Sequence, residues 1–349
     1  MAAYRRIATE EAFATRWQIE SFRKLLADGY DDPGFKSLWG FYLGSDSPRA
    51  RFIIERLQNL GPERIADMDA SGIDMQVLSL TSPGVQVFDA ATANALAASS
   101  NDELAAAIAR YPTRFVGLAA AAPQDPPAAA KEIERGVRKL GLRGVIINSH
   151  TEGQRLDNPR FWDIFAAAEA LDVPIYLHPN APPRDMIAPY LEAGLDGAVF
   201  GFQAETGLHM LRIIVAGVFD EFPKLKMIVG HCGEALPFWL YRIDYMHRAA
   251  VAANRHPHLR KLKRTPGEYL RDNVYVTNSG VAWAPAIMLC HQVMGPEHTL
   301  YAMDYPYQYL PSEVTVSDEL PMSDADKMKY FQTNAERLFK IAVGSGPIF

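Results

Sequence analysis

Glu10, His178, His231 and Asp304 each follow a short apolar run of the kind that forms a strand: Arg-Ile-Ala-Thr before Glu10, Pro-Ile-Tyr-Leu before His178, Met-Ile-Val-Gly before His231 and Thr-Leu-Tyr-Ala-Met before Asp304. Carboxylates and imidazoles at the carboxyl ends of different strands are the donor set of a divalent metal site. A single strand-end histidine is more often structural than a ligand. Two carboxylates gathered in an apolar interior, however, require a cation or a shared proton, and that requirement tips the set toward a metal centre. The sequence predicts a metal-dependent enzyme.

His231 lies in Gly230-His-Cys-Gly-Glu234. Glu234 is placed to hydrogen-bond the imidazole and raise its basicity, which would make His231 a proton carrier or a substrate-orienting cation. The plainer alternative is a helix start with Glu234 as a first-turn acid. Cys232 has no evident base of its own and is not expected to act as a nucleophile. Thr277-Asn-Ser-Gly280 lacks the first glycine of a nucleophile elbow. No Gly-rich loop follows a strand, and Gly344-Ser-Gly346 comes too late to cradle a dinucleotide, so no organic cofactor is expected. Arg49 and Arg242 are candidates for a substrate carboxylate, which a guanidinium matches bidentately; the alternative for each is a surface helix arginine. Tyr305, Tyr307 and Tyr309 follow Asp304 in a Pro-interrupted loop, where rings can line a pocket for a flat substrate or simply pack.

The elements that must position these residues alternate. Strand candidates run from Ile7 to Glu10, Met75 to Leu80, Phe115 to Ala119, Gly144 to Asn148, Pro174 to His178, Lys226 to His231, Val274 to Asn278 and Thr299 to Asp304. Amphipathic stretches lie between them, among them Pro62 to Ala70, Thr92 to Arg110, Pro127 to Lys139, Arg160 to Leu171 and Leu236 to Ala253. Gly72, Gly141 and Pro174 mark helix stops ahead of strands. Eight such units predict a (β/α)8 barrel of the TIM type, as a single domain over 1–349. Two connections are long, Ala14 to Gly61 and Asn180 to Phe202, and are expected to shape a pocket at the carboxyl face.

At 349 residues, 48% hydrophobic and 22% charged, the chain has material for a large core. A net charge of −6 with no run of basic residues argues against nucleic acid as a partner. Cys232 and Cys290 make no disulfide framework, which favours a reducing compartment. No signal-peptide hydrophobic region follows Arg5 and Arg6, and no apolar tract approaches the roughly 20 residues that span a bilayer. A cytoplasmic enzyme with no membrane partner is expected.

Several blocks together resemble the amidohydrolase superfamily, in its branch of non-oxidative aromatic decarboxylases. They are Arg6-Ile-Ala-Thr-Glu-Glu-Ala-Phe-Ala-Thr15, Ser37-Leu-Trp-Gly-Phe-Tyr42, Thr81-Ser-Pro-Gly84, Ile147-Asn-Ser-His150, Phe200-Gly-Phe202, Gly230-His-Cys-Gly-Glu-Ala-Leu-Pro237, Thr277-Asn-Ser-Gly-Val-Ala-Trp283 and Tyr301-Ala-Met-Asp-Tyr-Pro-Tyr-Gln308. The resemblance implies that Glu10, His178 and Asp304 ligate the metal, with His231 as the second characteristic histidine. Many members of the superfamily carry His-x-His on the first strand; Ala12 stands at the third position here and cannot ligate, a departure that argues against a binuclear hydrolase. The implied ion is Mn²⁺, with Zn²⁺ or Mg²⁺ as alternatives. The implied reaction is decarboxylation of an ortho-hydroxybenzoate, 5-carboxyvanillate to vanillate, or alternatively of 2,3-dihydroxybenzoate or γ-resorcylate, as part of lignin-derived aromatic catabolism. Asp304, His231 and Glu234 are then the catalytic set, and Arg49, Arg242, Thr81, Leu38, Phe202 and Tyr307 the substrate contacts. Arg242 is implied to reach a neighbouring subunit of a dimer or tetramer. The competing expectations are a metal-dependent hydrolase or lactonase, and a non-catalytic protein with a degenerate site.

Overall fold

The computed structural model describes residues 4–342; Gly344-Ser-Gly346 lies outside them. Among the described residues nine strands form in chain order: β1 Ile7–Phe13, β2 Met75–Leu80, β3 Phe115–Gly117, β4 Ala119–Ala120, β5 Val145–Asn148, β6 Ile175–His178, β7 Met227–Val229, β8 Val274–Thr277 and β9 Thr299–Leu300. Every pairing is parallel and joins chain neighbours. Strands buried on both faces read as nearly continuous apolar runs, and β2, β5 and β8 are buried at every position.

β3 and β4 are two halves of one barrel strand, interrupted at Leu118. The Leu118 N–H donates back to Leu78 O at 2.9 Å, whereas the Ala119 N–H donates onward to Gly144 O at 2.8 Å. The circle closes between the β9 segment and β1, where Thr9 N–H donates to Tyr301 O at 3.0 Å and Ala12 N–H to Tyr305 O at 2.7 Å. This is the expected (β/α)8 barrel. Each sequence segment lies where a strand forms, but the ends differ. β7 stops at Val229, short of His231, whose left-handed φ of 50° cannot continue a ladder; β9 stops at Leu300, and Asp304 beyond it has a left-handed φ of 70°. Glu10 is not at a strand end either, since β1 runs on to Phe13.

The long first connection is helical. Arg16–Ala27, Pro33–Gly44 and Pro48–Leu57 are each opened by a capping side chain: Thr15 accepts from Gln18 N–H, Asp32 from Phe35 N–H and Ser47 from Ala50 N–H. Trp39 is fully buried, its ring 4.6 Å from that of Phe22, and its Nε1–H donates to Ser82 O at 3.1 Å. Gln18 also donates to Thr81 O and Gly84 O. These contacts dock the first two helices onto the loop after β2, at the carboxyl face of the barrel.

Candidate active site

Glu10 is buried inside the barrel. A register shift in β1 between Ala8 and Glu11 sets two residues, Thr9 and Glu10, against the single Val77 of β2, a bulge that re-aims the side chain beside it. One carboxylate oxygen is fully engaged: Oε2 accepts from the Tyr176 hydroxyl and from Thr277 Oγ1 at 3.2 Å. The other, Oε1, is buried with no hydrogen-bond partner. It faces His178 Nε2 at 3.3 Å and His231 Nε2 at 3.6 Å.

Both imidazoles present that nitrogen for a reason. His178 Nδ1 lies 2.9 Å from Pro179 O, a pure acceptor, so Nδ1 carries the hydrogen. His231 Nδ1 lies 2.8 Å from Glu234 Oε1 and donates to it. Each Nε2 is thereby aimed at the orphaned carboxylate oxygen, an arrangement that a cation between them would complete. Ligand atoms of Glu10, His231 and Asp304 all lie within 4.8 Å of one another. His178 joins this group through its contact with Glu10. The residues fit a divalent ion with mixed nitrogen and oxygen donors.

The segment after β7 does not begin a right-handed helix. His231, Cys232, Gly233, Glu234 and Ala235 all have positive φ, between 50° and 70°, and the helix Leu236–Ala252 starts only beyond them. A left-handed turn of non-glycine residues costs roughly 1–2 kcal/mol per residue, and such strain collects at functional sites. The turn brings the carboxylate of Glu234 against His231. Cys232 is buried, and contact with Cys290 together with burial pushes its thiol well above the usual range, so it is no nucleophile.

The electrostatics are those of acids crowded around one histidine. Burial pushes the His231 imidazolium down, but the carboxylates of Glu234, Glu10 and Asp304 outweigh it and raise the group to about 10. Burial, reinforced by Glu10, pushes Asp304 up to about 7 against the pull of His231 and His178. Burial also raises Glu234. Glu10 alone is held below the usual range, burial notwithstanding, by His231, His178 and Thr277.

Of the substrate candidates, the structure brings Arg49, Thr81 and Tyr307 together. Thr81 Oγ1 and the Tyr307 hydroxyl are 2.6 Å apart, and Arg49 Nη2 donates to Tyr307 O at 2.9 Å. Leu38 is half-buried on the helix Pro33–Gly44, one turn from Tyr42, whose ring centroid is 5.8 Å from that of Tyr307. Phe202, also half-buried, stands at the start of the helix Gly201–Val215. That helix packs on the His231 turn at Gly207, where an added Cβ would come within 3.2 Å of Glu234 O. Arg242 is exposed on Leu236–Ala252 and is not part of the Arg49 group.

Tyr176 and Thr277 were missed by sequence reasoning. Tyr176 precedes His178 by two residues in β6, so the period of two puts both on the barrel's inner face; that signal was available. Gly230 was missed as well. A Cβ there would meet Glu10 Oε2 at 2.4 Å, a close approach that only the folded structure reveals.

A parallel eight-stranded barrel with a carboxylate and imidazole cradle beyond its strands' carboxyl ends is the architecture of a metal-dependent enzyme. The amidohydrolase family model matches residues 51–341, and the chain belongs to that family. It is 56% identical to a 5-carboxyvanillate decarboxylase of Novosphingobium aromaticivorans solved with manganese and 4-hydroxy-3-methoxy-5-nitrobenzoic acid. The match has a TM-score of 0.95 and covers 97% of this chain and 96% of that one. A 5-carboxyvanillate decarboxylase of Sphingomonas paucimobilis is 40% identical, with a TM-score of 0.91 over 97% and 99% of the two chains. The γ-resorcylate decarboxylase of a Polaromonas species is 35% identical over 86% of this chain and 93% of its own.

Proposed function

We propose that this protein is a manganese-dependent, non-oxidative decarboxylase of an ortho-hydroxylated aromatic carboxylate, converting 5-carboxyvanillate to vanillate and CO₂. The observation that carries the reading is the orphaned Glu10 Oε1, enclosed by His231 and His178 in reach of Asp304, in a chain so similar to enzymes named for that substrate. Loss of CO₂ directly from an aromatic ring would leave an unstabilised aryl anion, so the ring carbon must take a proton first. Asp304, whose carboxylate lies within 4.8 Å of the ligand atoms of Glu10 and His231, is placed to carry that proton. It passes the proton to the ring carbon bearing the carboxylate. The carbon–carbon bond to the carboxylate then breaks, its electron pair restores the aromatic ring, and CO₂ departs. Asp304 regains its proton from solvent, and His231, steadied by Glu234, holds the charge balance beside it. A divalent ion would be held by Glu10, His231 and Asp304, with His178 beside them, and would supply positive charge for the substrate's carboxylate and neighbouring phenolate.

Arg49, Thr81, Tyr307, Leu38 and Phe202 line the substrate pocket in this reading, and Arg242 reaches the pocket of a neighbouring copy. The chain acts as a single catalytic domain in the cytoplasm, within the breakdown of lignin-derived aromatics. It assembles as a homo-oligomer, which the helix Leu236–Ala252 supports by exposing Phe238, Trp239, Tyr241 and Tyr245. Among the described residues no helix is long and apolar enough to cross a membrane.

The test is CO₂ release from 5-carboxyvanillate, 2,3-dihydroxybenzoate, γ-resorcylate and salicylate with Mn²⁺ present, beside a lactone substrate. We expect CO₂ and vanillate from the first and no ring opening. Turnover of the lactone alone would replace the decarboxylase reading with a hydrolase.

A further inference from the structure

Glu11 has no part in the chemistry above, yet it is fully buried one residue from Glu10. Its Oε1 accepts the Met303 N–H at 2.9 Å, and its Oε2 accepts the Tyr305 N–H at 3.0 Å. Met303 and Tyr305 flank Asp304 in the chain. Tyr305 is held at its carbonyl too, which accepts the Ala12 N–H at 2.7 Å. Behind this strap lies Arg64, also fully buried, which donates to Ala12 O at 2.9 Å and to Gln76 Oε1 at 2.7 Å while stacking 4.6 Å from the Tyr305 ring centroid.

The strap answers a problem the backbone poses. Asp304 has φ 70°, a conformation that L-residues rarely adopt and that must be held by its surroundings. A residue left to itself would relax toward negative φ, and its carboxylate would swing off the position shared with Glu10 and His231. Few side chains can prevent this. A carboxylate has two acceptor oxygens, one for each N–H; a glutamine would satisfy one N–H and set its own amide N–H against the other, and an aspartate is one methylene short.

We propose that Glu11 is a positioning residue, whose carboxylate bridges the Met303 and Tyr305 peptide N–H groups and so fixes the left-handed turn that aims Asp304 into the site. The inference rests on the reading of Asp304 as metal ligand and proton carrier. Its test uses the purified full-length chain and the variants Glu11→Gln and Glu11→Asp. Three quantities are read on each preparation: affinity for Mn²⁺ by the electron paramagnetic resonance of free Mn²⁺, kcat and KM for 5-carboxyvanillate, and melting temperature. Glu11→Gln should stay folded yet lose about 10- to 100-fold in both Mn²⁺ affinity and kcat, as loss of a partner behind a metal ligand typically does, with KM little changed. Glu11→Asp, which keeps both acceptors, should lose less.

A Gln variant with a lowered melting temperature but wild-type Mn²⁺ affinity and kcat per folded molecule would make Glu11 merely structural and overturn the proposal. If Glu11→Gln does not fold, the same two quantities in Glu11→Asp decide: reduced values support the proposal and wild-type values overturn it. If neither variant folds, Glu11 is a folding residue and the assignment falls. Should the wild-type protein release no CO₂ from any aromatic acid, the decarboxylase reading fails by itself. The Mn²⁺ arm then still decides whether Glu11 positions Asp304.

Discussion

At Glu10 the two carboxylate oxygens do different work, and each can be probed singly. Tyr176→Phe removes the hydroxyl that holds Oε2 and leaves only Thr277 there. It should weaken Mn²⁺ binding by about 10-fold or more and cost about 1.5–3 kcal/mol in stability, the usual scale for a hydrogen bond to a charged group. Mn²⁺ titration and denaturant unfolding measure these two effects, and unchanged metal affinity would show that Thr277 suffices. The histidines can be ranked in the same way. His231, not His178, shares the 4.8 Å group with Glu10 and Asp304, so His231→Asn should lower Mn²⁺ affinity more than His178→Asn and should cut turnover by on the order of 10²-fold or more. The reverse order would favour the ligand set Glu10, His178 and Asp304 that the sequence resemblance implies. Asp304→Asn should abolish turnover while binding of an unreactive nitro analogue of the substrate falls less, and parallel losses of both would remove Asp304 from proton delivery.

Single elements show what the sequence revealed and what it withheld. β2 was legible to the residue because Met75–Leu80 is mostly apolar, interrupted only by Gln76 and Ser79, and bounded by Gly72 and Pro83. The strands bearing His231 and Asp304 were legible only in their apolar part; the left-handed turns beyond them arise from tertiary hydrogen bonds, such as Glu11 to Met303 and Tyr305, that no local pattern encodes. Four candidate metal and acid residues were legible for a simple reason, that each follows an apolar run. The loop after β5 holds a polar chain that was not. Leu156 N–H donates to His209 Nε2 at 2.8 Å, leaving the ring hydrogen on Nδ1 to face Ser149 Oγ at 2.9 Å. The Ser149 hydroxyl in turn donates to Glu205, which pairs with Arg155. Burial, helped by the positive charges of Arg155, His150 and Arg212, holds His209 well below its usual value. The unfolded chain therefore binds a proton there, below about pH 6.5, that the folded chain refuses, so stability should fall as pH drops through that point and be unaffected above it. His209→Gln should lower the melting temperature at neutral pH but flatten its decline from about pH 7 to about pH 5. Parallel curves for the two proteins would show that another group sets the acid limb.

For the whole molecule, the question is whether one copy of the chain holds a complete site. The helix Leu236–Ala252 leaves Phe238, Trp239, Tyr241, Tyr245 and Met246 exposed, and Trp283, Val199 and Phe200 are exposed as well, more large apolar side chains than an isolated chain ordinarily leaves to water. Arg242 lies in the midst of the helical group, and among the described residues it makes no hydrogen bond or ion pair. An arginine so placed, on a self-complementary face of a two-fold assembly, can serve the neighbouring subunit's pocket. Trp239→Lys with Tyr241→Lys should then reduce the assembly toward monomer in light scattering and lower turnover while Mn²⁺ still binds, because Glu10, His231 and Asp304 come from one chain. The sharper test mixes two inactive variants, Arg242→Ala and Asp304→Asn, under conditions that exchange subunits. If Arg242 acts across the interface, a mixed pair contains one site with both Arg242 and Asp304 intact, and activity returns in proportion to the mixed species. If Arg242 serves its own site, every site in the mixture lacks one of the two residues, and no exchange of subunits restores CO₂ release.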